Sequence, residues 1–98
     1  MEYKILQAKM EAPFKFRELS ESFDLNWYET VYEGILSDMD DIPSLRILGY
    51  LFKKFNLYHP FDFKGHSLSV SDIIILEGIY YYCSPYGWDT IDSSRLGA

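Results

Sequence analysis

Val70-Ser71-Asp72-Ile73-Ile74-Ile75-Leu76-Glu77-Gly78-Ile79-Tyr80-Tyr81-Tyr82-Cys83 is the stretch that decides the fold. A short β-branched aliphatic run bounded by turn residues suits a sheet interior, so Val70 to Leu76 reads as a buried strand. Glu77-Gly78 supplies the residues of a tight hairpin turn, and Ile79 to Cys83 is the expected return strand. Pro85-Tyr86-Gly87 is expected to end that strand, and the tail beyond Asp92 to fray.

Upstream of this hairpin, residues 56–69 form a connection rich in Pro, Gly, Asp, His and Ser. Before it, Leu45, Leu48, Leu51, Phe52 and Phe55 recur at three- and four-residue spacing, which predicts a helix from about Ser44 to Phe55 with one apolar stripe. Asp41 or Ser44 is a candidate cap for its start, with Pro43 tolerated in the first turn. Trp27 to Leu36 alternates with period two and is rich in aromatic and β-branched residues, so it reads as a strand with Glu29 and Glu33 on one side. Tyr3 to Gln7 reads as an opening strand, and Phe16 to Phe23 holds at most one helical turn. The expected architecture is α+β: a mostly antiparallel sheet of three to four strands with one main helix packed on one face.

The totals agree with a single domain over residues 1–98. Hydrophobic residues make up 48% of the chain, far above what a disordered segment carries. Cys83 stands alone and cannot form an internal disulfide, and the first residues lack the pattern of a secretory signal, so a cytoplasmic setting is expected. The aliphatic run Ile73 to Leu76 is too short to span a bilayer. A net charge of −6 argues against a partner that is itself a polyanion, because non-specific affinity for DNA or RNA comes from neutralising phosphates with Lys and Arg.

The residues from Asn56 to Leu76, Asn-Leu-Tyr-His-Pro-Phe-Asp-Phe-Lys-Gly-His-Ser-Leu-Ser-Val-Ser-Asp-Ile-Ile-Ile-Leu, closely resemble the signature of YodL-like domains. Tyr28 to Gly34 resembles that family's tyrosine-rich strand, Leu45 to Phe55 its helix, and Tyr80-Tyr81-Tyr82 with Gly87-Trp88 its strand and Gly-aromatic turn. The resemblance covers about residues 27–92, while residues 1–26 fit the family poorly. It implies context more than chemistry. YodL-like domains occur in proteins of plasmids, conjugative elements and phages, often beside anti-restriction modules, and no enzymatic activity is established for them.

Within that signature, His59, Asp62, His66 and Asp72, together with Cys83, are the residues that invite a metal or catalytic reading. Zinc sites use paired short spacings such as C-x2-C or H-x3-H, and this chain has none, so no metal and no cofactor is expected. His66 beside Ser67 lacks the G-x-S-x-G elbow of a serine nucleophile, so no catalytic residue is assigned and the chain is not read as an enzyme. Instead, His59, Pro60, Gly65, His66, Ser67, Ser69 and Asp72 read as a structural motif that delivers the central strand. Pro60 fixes a turn, Gly65 can take positive φ, and Ser67, Ser69 and Asp72 can bond nearby backbone amides.

Charge is concentrated in residues 18–45, which carry eight acids and no base. Such a stretch faces either water or a cationic partner. Glu29, Glu33, Asp38, Asp40 and Asp41 are therefore the candidate partner-binding residues. Carboxylates on a rigid scaffold can imitate the phosphates of DNA and compete for a nucleic-acid-binding groove. The first functional expectation is a counter-defence inhibitor of anti-CRISPR or anti-restriction type. It would bind a nucleic-acid-binding host defence protein and make no direct contact with nucleic acid or membrane. The alternative is a docking module of a larger mobile-element assembly, acting through its sheet edge or aromatic face.

Overall fold

The computed structural model describes residues 1–39 and 41–96. Five strands and one α-helix lie along the chain as β1 (Glu2–Ala8), β2 (Tyr28–Ile35), α1 (Ser44–Leu57), β3 (Ile73–Leu76), β4 (Ile79–Ser84) and β5 (Gly87–Thr90). They form one sheet in the order β2-β1-β3-β4-β5, and every neighbouring pair is antiparallel. The expectation of three to four strands is thus corrected to five. The additional strand is β5, because Pro85-Tyr86-Gly87 does not stop the chain but turns it. Ser84 pairs with Gly87 across a two-residue loop, and Gly87 takes φ 141°, open to glycine at no steric cost.

The β3–β4 hairpin forms as its sequence requires. Leu76 pairs with Ile79, and Glu77 and Gly78 both take positive φ, 47° and 81°, the geometry whose twist matches that of the flanking strands. Val70 and Ser71 stay outside the strand. Ser71, at φ 82°, belongs to a turn, and only Ile73 to Leu76 are extended.

Both faces of the sheet are covered. On one, Ile47, Leu48, Leu51 and Phe55 of α1 pack on Tyr3, Ile5, Ile74, Leu76 and Tyr81. Ile47 belongs to this inner stripe, while Leu45 points outward and is 66% exposed. Pro43 occupies the N-cap without a side-chain cap bond, so neither Asp41 nor Ser44 serves there. On the other face, Leu6, Ala8, Ile73, Tyr82 and Ile91 are covered by Ala12, Phe14 and Phe23 of the arm between β1 and β2. That arm is a series of turns rather than a helix over Phe16 to Phe23, with a short 3-10 segment at Leu25–Trp27 capped by the Asp24 side chain. Residues 92–96 are also held. Asp92 caps a 3-10 turn at Ser93–Arg95, and the Arg95 guanidinium donates to the Ser20 carbonyl and lies over the Phe23 ring.

One irregularity governs the placement of charge. Ile5 pairs with Tyr32 but Leu6 pairs with Thr30, so Val31 is an extra residue and β2 bulges there. A bulge shifts the alternation by one residue, and every side chain beyond it changes face.

Candidate functional site

The signature motif folds around a buried polar centre at the Ala8 end of β1. Gln7, on the α1 side of the sheet and 3% exposed, uses its carboxamide fully. Its Nε2 donates to the His66 carbonyl at 2.8 Å and to Asp72 Oδ2 at 3.1 Å, while Oε1 accepts from the His66 N–H at 3.1 Å. Gly65 makes this approach possible. A Cβ there would collide with the Gln7 carboxamide, so the residue is glycine for space rather than for positive φ.

Asp72 is fully buried and closes the turn that starts β3. Oδ2 accepts from the Ser69 N–H at 2.8 Å, and the Asp72 N–H donates to the Ser69 carbonyl at 3.1 Å. Its other oxygen faces the Lys15 ammonium at 3.8 Å. Burial raises the Asp72 carboxyl above the usual carboxylate range, while the Ser69 amide, the Lys15 ammonium, the nearby His66 ring and the Gln7 amide work in the opposite direction. Lys15 enters from the arm. Its Nζ donates to the Ala8 carbonyl at 2.9 Å and lies 3.2 Å from His66 Nε2. His66 Nδ1 lies 2.7 Å from the Ser67 carbonyl, so an Nδ1–H donor there leaves Nε2 to accept from Lys15.

These contacts decide what the motif does. The imidazole faces the Lys15 ammonium and a backbone carbonyl, and the Asp72 carboxylate holds a backbone amide and Gln7, so Ser67, His66 and Asp72 are not arranged as a proton relay. What they join is structure: β1 through Gln7, the arm through Lys15, the connection through His66 and β3 through Asp72. The rest of the motif is likewise local. His59 Nδ1 lies 3.1 Å from the Pro60 carbonyl, which itself accepts from the Phe63 N–H, and Asn56 holds both the N–H and the carbonyl of Leu68. Neither Lys15 nor Gln7 was singled out from sequence. Each meets the motif across more than fifty residues of chain, and no local spacing marks such a contact.

The acidic residues fare differently. Glu29 pairs with Gln7, on the α1 side of the sheet, and lines an open cleft of about 540 Å³ with Lys9, Lys64 and His66. Glu33 pairs with Lys4, on the opposite side, and forms an exposed ion pair with it at 3.2 Å. The bulge at Val31 thus separates two carboxylates that simple alternation places together. Asp38 sits in the turn after β2 at φ 59°, and Asp41 is exposed shortly before α1. Asp40 lies outside the described residues.

A second surface carries more apolar area. Leu45, Tyr50, Leu57, Tyr58 and Phe61 are exposed along α1 and the chain that follows it, and the last is fully open to solvent. Arg46, Lys53 and Lys54 lie among them. Lys53 and Lys54 with Tyr50 and Tyr58 bound a shallow cleft of about 360 Å³.

A five-stranded antiparallel sheet with one helix on a face, and a polar clasp at the start of its central hairpin, defines a small α+β domain. The model of the YodL-like domain matches residues 2–93, and the chain belongs to that family. The match includes β1 and the arm, so the region before Trp27 is part of the family's domain. Neither the curated proteins nor the solved structures contain a match to this chain. Among the described residues no helix is long and apolar enough to cross a membrane.

Proposed function

We propose that this YodL-like domain is a non-enzymatic protein-binding module of a phage or mobile element, docking on its partner through the exposed side of α1 and the turn after it. The observation that carries this reading is the run of exposed Leu45, Tyr50, Leu57, Tyr58 and Phe61, large apolar side chains that a domain with two filled half-cores has no internal reason to leave in water. Tyrosine and other aromatics among such side chains suit a protein interface. The β2 edge of the sheet is a poorer candidate. On the outer side of β2, Val31 already accepts from the Lys64 N–H at 3.4 Å, and Glu33 adds a charge that discourages strand addition.

Counter-defence inhibition, with carboxylates standing in for DNA phosphates, is the narrower form of this proposal. Its support is the acid excess of residues 18–45 and the mobile-element setting that the family resemblance implies. Against it stands the placement of Glu29 and Glu33 on opposite sides of the sheet. Two measurements separate the forms. The docking reading expects proteins retained from native host lysate to be lost from the variant Leu57→Ser, Tyr58→Ser and Phe61→Ser. Inhibition of a panel of host nucleases that disappears in Glu29→Gln, Glu33→Gln, Asp38→Asn and Asp41→Asn would instead favour the mimic.

A further inference from the structure

We infer that the outer side of α1 receives an acidic segment of the partner protein, one that interleaves carboxylates with apolar side chains. This deepens the docking reading and rests on it. Arg46, Tyr50, Lys53 and Leu57 follow one another at spacings of four, three and four residues, so they share one stripe, opposite the buried Leu48 and Phe55. Lys54 and Tyr58 flank that stripe, and the cleft between Tyr50, Lys53, Lys54 and Tyr58 sets two ammonium groups beside two phenol rings. Anionic side chains fit such a cleft, and an adjacent apolar side chain fits the rings.

The charge is out of keeping with the rest of the chain. Three bases and no acid lie within Ser44–Leu57, in a protein of net charge −6. Among the described residues the ion pairs are Lys4 with Glu33 and Lys15 with Asp72, and none of them involves a cation of the helix. Gly49 adds an independent sign. It lies on the exposed side of the helix, and a Cβ placed there would meet nothing within 4 Å. Internal packing does not require glycine at that position, and the open space leaves room for the close approach of another backbone.

A polyanionic nucleic acid is a weaker occupant. Three cations neutralise few phosphates, the chain as a whole repels them, and the apolar area of Leu45, Leu57 and Phe61 would be left unused. The same helix of a second copy is also weaker, since two such helices facing each other would bring like charges together.

The test places the photoreactive residue p-benzoylphenylalanine at position 50 in one variant and at position 77, in the β3–β4 turn, in another. Each is irradiated in native host cells, and the adducts are mapped by mass spectrometry. The expected result is an adduct at position 50 on a partner segment rich in Asp and Glu with apolar neighbours. Its yield should fall about tenfold when Lys53→Glu and Lys54→Glu are added, as removal of charge complementarity requires. Lys53 is exposed and Lys54 half-buried, and an unchanged thermal unfolding curve checks that the fold survives. Adducts at position 77 but not at 50 would overturn this inference and leave the protein-binding reading standing. An adduct at position 50 on nucleic acid, on a second copy of the chain, or on a segment without acids would also overturn it. No protein adduct from either position would remove both readings.

Discussion

Lys15 carries a strongly hydrated ammonium on a flexible stem, yet the fold buries it and surrounds it with the Ala8 carbonyl, His66 Nε2 and the Asp72 carboxylate. Its contribution is conditional on Asp72, because a lone buried charge is far more costly than a matched pair. Lys15→Met and Asp72→Asn should each lower unfolding stability by about 3 kcal/mol, since each leaves one charge uncompensated. The double variant should lose clearly less than the sum, and urea unfolding midpoints measure all three; additivity to within about 0.5 kcal/mol would mean that the two groups do not act as a pair. The Asp72 half of this pair was legible in sequence as a turn residue that bonds the backbone, and it does hold the Ser69 amide. Its cation was not legible. Lys15 sits between Phe14 and Phe16 with nothing to distinguish it from a solvated lysine, and only the folding of the arm across the sheet brings it to His66.

At the scale of elements, the glycines of α1 and of the β3–β4 turn look alike in sequence and differ in what the backbone asks of them. Gly78 stands at φ 81°, which a side chain adopts only with strain, whereas Gly49 is an ordinary helical residue with open space around it. Gly78→Ala should therefore cost about 1 kcal/mol, and Gly49→Ala should add roughly 0.5–1 kcal/mol by removing conformational freedom from the unfolded chain. Thermal unfolding reads both. If Gly49 also serves a partner's close approach, its alanine variant will be the more stable protein and the poorer binder, a combination that stability alone does not produce. The hairpin was legible because Glu77-Gly78 has one plausible geometry between two β-rich runs. The fifth strand was not, because Pro85-Tyr86-Gly87 reads equally as a terminator and as a two-residue turn, and four residues of β5 give too short a pattern to choose. The bulge in β2 was hidden for a different reason. Tyr, Glu, Thr and Val alternate without a cleanly apolar face, so nothing in the pattern marks where the register slips, and the expected grouping of Glu29 with Glu33 failed at Val31.

Across the whole molecule, one sheet separates two apolar half-cores, and each is built around tyrosine. Tyr3 belongs to the half under α1, and Tyr82 and Tyr28 to the half under the arm, where Tyr82 donates to the Arg17 carbonyl and Tyr28 to the Ser71 carbonyl. The helical cover was legible from its stripe. The arm was not, since it buries Phe14 and Phe23 without any helical or strand period. Burial pushes the phenol of Tyr82 up to about 12 from 10.0, with the Asp72 charge adding to it, and burial does the same to Tyr3. Tyr28 moves in the same direction, again chiefly through burial. A pKa raised in the folded state means that the unfolded chain releases the proton first as pH rises. The stability that Tyr82 and Tyr3 contribute is fully present below pH 10 and is lost as pH rises from 10 through about 12. The urea midpoint should accordingly hold level up to about pH 10 and fall steeply beyond it. Tyr82→Phe removes one of these protons and also the bond to Arg17, so it should be less stable by about 1 kcal/mol at neutral pH and decline less steeply in alkali. The two curves should converge above pH 10, and parallel curves would show that the Tyr82 phenol ionises without the fold opposing it.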